Sequence, residues 1–84
     1  MQEIARVGDR ISHGGEIVTG SNKCEVNNRP VARVGDTVEC DIHGTQTIVA
    51  GSSNLVDENR DVARIGDLVS CGAVIVTGSE DTLN

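Results

Sequence analysis

Two histidines and three cysteines carry the metal-binding and redox chemistry open to this 84-residue chain, and four of the five share a pattern. His13, Cys40 and Cys71 each stand seven residues after an arginine: Arg6, Arg33 and Arg64. His43 follows Cys40 by three residues, in the stretch CDIH. Taken singly, such residues are ordinary, because cysteine is among the most buried residue types and a surface histidine needs no explanation. The shared register is what joins them. Two thiolates and two imidazoles are a donor set that a tetrahedral structural Zn²⁺ takes, with Zn–S about 2.3 Å and Zn–N about 2.0–2.1 Å.

A catalytic zinc keeps one position open for water. Here four donors fill the shell, and Glu39 and Asp41, which flank Cys40, read as solvated loop charges rather than general bases. A zinc-dependent hydrolase would show an exchangeable water on the metal. The donor count favours a staple instead, one zinc per chain, with no enzyme activity. Structural zinc is worth about 10–16 kcal/mol in small peptides, comparable to the net stability of a whole domain. Cys24 lies outside the register. It aligns with Leu55, and we expect a small buried hydrophobe there, not a ligand.

The elements that would position these residues are written three times. Units of approximately 4–30, 31–61 and 62–84 each open on (I/V)-A-R-(V/I)-G-D and later carry a β-branched pair before glycine: EIVTGS, TIVAGS and VIVTGS. Arg6, Arg33 and Arg64 correspond, as do Asp9, Asp36 and Asp67. The second unit is longer by four residues between Asp36 and Gly51, and His43 lies in that insertion. Three equivalent positions can meet on a threefold axis but supply only three sides of a tetrahedron. The insertion adds the fourth. Gly14, Gly15, Gly44 and Gly72 directly follow His13, His43 and Cys71, where a tight bend around a ligand would use them.

The chain has no Phe, Tyr or Trp, and its hydrophobic residues, 37% of the total, are mostly Val, Ile and Ala. Such residues favour strands, and no sustained helical period appears. The expected fold is all-β: one domain, a compact body of three pseudo-threefold repeats around one axis, stapled by a metal. Gly-Asp in each unit predicts a turn, and Asn28-Arg29 and Asn59-Arg60 a second one, since Asn tolerates positive φ. The repeated Arg and Asp are expected to form a local ion pair or turn cap, worth about 0–1 kcal/mol if exposed. A chain of this size buries only roughly 60–65% of its unfolded surface, so a staple or a partner is expected.

A net charge of −6, with no basic stripe and no aromatic for base stacking, argues against a nucleic-acid partner. The longest apolar run, 73–76, is far too short to span a bilayer. The opening MQEIARVGD lacks the apolar core of a signal peptide. Three cysteines cannot close a disulfide set within one chain.

The stretch Pro30-Val31-Ala32-Arg33 followed by VGD, with degenerate copies at Glu3–Arg6 and Asp61–Arg64, resembles the PAAR-repeat proteins, named for a Pro-Ala-Ala-Arg motif. The resemblance covers essentially the whole chain. Only one copy here keeps the proline, and the family often uses three His and one Cys where this chain has two of each. The resemblance implies a non-enzymatic tip that caps and sharpens the trimeric β-helical spike of a contractile injection machine, either a type VI secretion system or a contractile phage tail. It implies a compact cone of β-strands metal-stapled at its tip by a zinc near the point, one copy per spike trimer, and transient contact with the target membrane during piercing. An alternative is an adaptor that attaches a separate toxin effector as cargo. Assembly would be cytoplasmic, followed by a place at the virion tail tip or secretion with the spike.

Overall fold

The computed structural model describes residues 3–52, 55–57 and 59–79. Its regular elements are short β-strands: β1 (Gly15–Ile17), β2 (Glu25–Val26), β3 (Arg29–Pro30), β4 (Thr37–Cys40), β5 (Gly44–Thr47), β6 (Val56–Asp57) and β7 (Arg60–Asp61). There is no helix among the described residues. β1, β4 and β5 form an antiparallel sheet in that order, while β2–β3 and β6–β7 are separate two-stranded hairpins. In β1 and β4 buried residues alternate with exposed ones, the period of a strand with one face on a core.

The three sequence units are tied to one another by equivalent backbone bonds. Ala5 N–H donates to the Ala63 carbonyl, Ala63 to Ala32, and Ala32 back to Ala5, at 2.9–3.0 Å. All three alanines are fully buried, and their close approach explains why the side chain here is only a methyl. The amides of Ser21, Ser52 and Ser79 donate to the carbonyls of Val31, Val62 and Ile4, closing a second ring in the opposite sense. Above this ring lie Ile11, Val38 and Val69 with Ile17, Ile48 and Ile75, none more than 3% exposed. Each such side chain is worth about 1.5–3 kcal/mol over leaving it in water. Ile4, Val31 and Val62 form a separate buried cluster with Val26 against it.

The Arg-x-Gly-Asp turns have one geometry. Asp9, Asp36 and Asp67 each donate N–H to the carbonyl of the arginine three residues before, with the intervening glycine at φ +91 to +92. A turn with positive φ at its third residue favours glycine there. The aspartate carboxylate then accepts from the arginine's own backbone N–H at 2.7 Å in all three units. So Arg and Asp are both an ion pair and a turn cap. Two of the pairs are not the exposed kind: Arg6, Asp9, Arg33 and Asp36 are buried. Exposure-based bookkeeping does not apply to them, because removing one partner of a buried pair strands the other.

Two other expectations are corrected. The second turn sits one residue earlier than predicted, on Asn27 and Asn28 at φ 56 and 65, so that Val26 pairs with Arg29 in the hairpin. A two-residue hairpin loop with positive φ at both positions matches strand twist. Asn59, at φ 67, occupies the corresponding place in the β6–β7 hairpin. Cys24 is exposed, not buried. Ser21 Oγ accepts from the N–H groups of Lys23 and Cys24, turning the chain away from the core. Only the Cys24 backbone carbonyl, which accepts from Val31, is used inward. Leu55 is exposed in the same way, so the two positions do correspond.

Candidate metal centre

Each candidate ligand is delivered by a different piece of local structure. Cys40 ends β4, paired with Gly15 of β1. The chain bends between Ile11 and Gly14, with Gly14 N–H donating to the Ile11 carbonyl and Asp41 N–H to the Gly14 carbonyl. That bend sets His13 beside Cys40. Gly15 permits it: at φ +102, a Cβ there would overlap the Glu39 carbonyl oxygen of the adjacent strand.

The four-residue insertion is the β4–β5 hairpin. Cys40 pairs with Gly44 across a three-residue loop of Asp41, Ile42 and His43, which folds His43 back over Cys40. Cys71 lies in a turn closed by Gly72 N–H donating to the Val69 carbonyl.

One atom from each of His13, Cys40, His43 and Cys71 lies within 4.8 Å of the others. Cys40 Sγ is 3.7 Å from Cys71 Sγ, 3.9 Å from His13 Nδ1 and 3.6 Å from His43 Nδ1, and Cys71 Sγ is 3.7 Å from His13 Nδ1. A tetrahedron built on ordinary zinc bond lengths has an S–S edge of about 3.8 Å and S–N edges of about 3.6 Å. These four separations lie within about 0.3 Å of those edges. The two imidazole rings tilt at 49° with centroids 5.3 Å apart, splayed rather than stacked.

Burial grades outward. Cys40 is buried, His13 and Cys71 are half-buried, and His43 is exposed. Burial alone pushes the Cys40 thiol up. It is outweighed by hydrogen bonds from the His43 and Ile42 backbones and from the His43 and His13 side chains, which hold Cys40 down at about 6 against its ordinary 9.0. A thiolate is the form that ligates metal. The cluster can therefore hold a metal ion.

Sequence reasoning brought all four residues into one set, and the structure places all four together. Cys24 takes no part in the cluster. Two supporting residues escaped notice. Gln46 donates Nε2–H to the His43 carbonyl at 3.1 Å, and Ser70 Oγ donates to Gln46 Oε1 at 2.7 Å. Ser70 N–H also donates to the Thr47 carbonyl at 2.8 Å, and Thr47 N–H donates to Ser70 Oγ at 3.1 Å. These bonds fix the insertion hairpin against the loop that carries Cys71. Their only trace in the sequence is position: Gln46 stands three residues after His43, and Ser70 directly before Cys71.

A family model described as the PAAR motif matches residues 3–77. No curated protein matches the chain significantly.

Proposed function

This chain belongs to the PAAR-motif family, and we propose on that basis that it is a zinc-stapled tip capping the trimeric spike of a contractile injection system. The family consists of spike-tip proteins, structural rather than enzymatic. The observation that carries the finer reading is the four-donor cluster, whose separations match a tetrahedral zinc shell. His13, Cys40, His43 and Cys71 would hold the ion, which supplies cross-linking between loops of all three units. A staple at that end resists fraying of short loops, which otherwise open at little free-energy cost.

The opposite role falls to the cluster of Ile4, Val31 and Val62. In our reading it faces the blunt end of the spike. The three units offer equivalent backbone bonds around one ring, and a body built this way meets a trimer through three similar contacts with one copy on its axis. Assembly takes place in the cytoplasm, and the tip leaves with the spike.

Two measurements test this. Elemental analysis of the purified chain is expected to give one zinc per chain. Co-purification with the trimeric spike, followed by native mass measurement, is expected to give one copy of this chain per three spike chains. Three copies per trimer would refute the axial cap.

A further inference from the structure

The two sulfurs of the cluster are neighbours as well as ligands. Cys71 Sγ lies 3.7 Å from Cys40 Sγ, although the residues are 31 apart in sequence. A disulfide needs about 2.05 Å, so the sulfurs must close by less than about 2 Å. The turn that carries Cys71 is open on one side: nothing lies within 4 Å of where a Cβ on Gly72 would stand. The two thiols also differ in access. Cys71 is half-buried, so solvent reaches part of it, whereas Cys40 beside it is buried. An accessible thiol backed by a second thiol is the arrangement in which an oxidised sulfur is trapped as a disulfide before it oxidises further.

On the premise that the cluster holds zinc, we propose that Cys40 and Cys71 form a two-electron redox switch, in which hydrogen peroxide joins them as a disulfide and expels the metal. The Cys71 thiolate attacks peroxide, breaking the O–O bond to give Cys71 sulfenic acid and one hydroxide. The Cys40 thiolate then attacks the Cys71 sulfur, forming the S–S bond and releasing a second hydroxide. Two thiolates have lost two electrons to one peroxide, and no other reactant is required. A disulfide no longer offers two thiolate donors, and His13 and His43 alone are half of a tetrahedral set. The oxidised tip is thus covalently joined between its second and third units, while His13 in the first unit and the inserted His43 are released. The same step is closed to a centre with a single cysteine. It follows from the two-cysteine set of this chain.

The test uses the full chain carrying Cys24→Ser, so that the exposed thiol outside the cluster neither dimerises nor reports. Zinc content is measured before and after hydrogen peroxide, and the oxidised chain is digested and mapped by mass spectrometry. We expect one zinc released per chain, a mass loss of two hydrogen atoms, and a cross-linked peptide pair containing Cys40 and Cys71. Dithiothreitol with added zinc is expected to restore the starting state. Zinc retained after peroxide with both thiols intact overturns this inference alone. Zinc released with sulfinic acid in place of the cross-link also overturns it. No zinc before peroxide defeats the staple reading, and the switch with it. Adding Cys40→Ser removes the trapping thiol, so Cys71 sulfenic acid is expected to accumulate as a dimedone adduct that the parent does not form. If that variant does not fold, the peptide map of the parent still decides.

Discussion

Replacing Asp36 with alanine isolates what the buried turn clamp contributes. The Asp36 carboxylate accepts from Arg33 N–H at 2.7 Å, Nε–H at 3.0 Å and Nη2–H at 3.3 Å, and from Thr19 Oγ1 at 3.2 Å. Arg33 and Asp36 side chains are 4% and 5% exposed. Asp36→Ala strips these bonds from a buried guanidinium that also meets Asp57 at 3.3 Å. Breaking a buried pair from one side costs about 3–5 kcal/mol. The equivalent change in the third unit is the control. Arg64 is 23% exposed and its side chain reaches Asp67 only at 3.4 and 3.5 Å. Water can replace most of that contact. What Asp67→Ala removes is chiefly the 2.7 Å bond to the Arg64 backbone, and a hydrogen bond to a charged group is worth about 1.5–3 kcal/mol.

Urea unfolding at one fixed excess of zinc measures the difference, since the metal contribution is then common to both variants. With a slope of about 1.5 kcal/mol per M, the midpoint is expected to fall by about 2–3 M for Asp36→Ala and about 1–2 M for Asp67→Ala. Equal losses, or a larger loss for Asp67→Ala, would refute the claim that burial sets the value of these repeated pairs.

Other perturbations address the metal centre. Cys71→Ser is expected to lower Tm by more than about 10 °C and Cys24→Ser by less than about 4 °C, because the latter is a surface change and about 1 kcal/mol corresponds to about 4–8 °C at this size; equal shifts in thermal melts would defeat the ligand assignment. Because the Cys40 thiol is held at about 6, it adds no proton competition to zinc binding well above that pH, and below it weakens affinity about tenfold per pH unit. A chelator-competition titration across this range checks the slope. In the metal-free chain the same depression is a stabilisation, complete above the unfolded value of 9.0 and lost as pH falls through about 6. Gly15→Ala would drive a Cβ into the Glu39 carbonyl oxygen and break the β1–β4 pairing beside His13, whereas Gly72→Ala meets open space and costs only about 1–2 kcal/mol of left-handed backbone strain. Zinc content and urea midpoints should therefore fall much further for the first variant.

Most of the site was legible because repetition is a one-dimensional property. Counting seven residues from each arginine found His13, Cys40 and Cys71, and the one departure in unit length found His43. The β character followed from Val and Ile in the place of aromatics, and the Gly-Asp turns from the need for positive φ. What failed to show were contacts with no periodic signature. Arg29 donates to the Val7 carbonyl and Asp9, and Arg60 reaches Asp36 at 3.8 Å, so the first two clamps each gain a second guanidinium from a hairpin 20 or more residues away. Gln46 and Ser70 brace the insertion through bonds that exist only once β5 lies against the third unit.

The sequence by itself determined the all-β class and singled out the four candidate donors, because these depend on residue type and spacing along the chain. Only the tertiary structure decided which positions water reaches. Cys24 and Cys40 are the same residue type, yet one is exposed and the other buried. Arg33 and Arg64 occupy the same place in the same motif, yet one is sealed and the other is not. The physical reason is that burial is conferred by the neighbouring units. Cys40 is covered by loops from residues 13 and 71, and Arg33 by Asp57, and none of these is near in sequence. Spacing named the four candidate donors; the packing of distant segments brought them within 4.8 Å of one another.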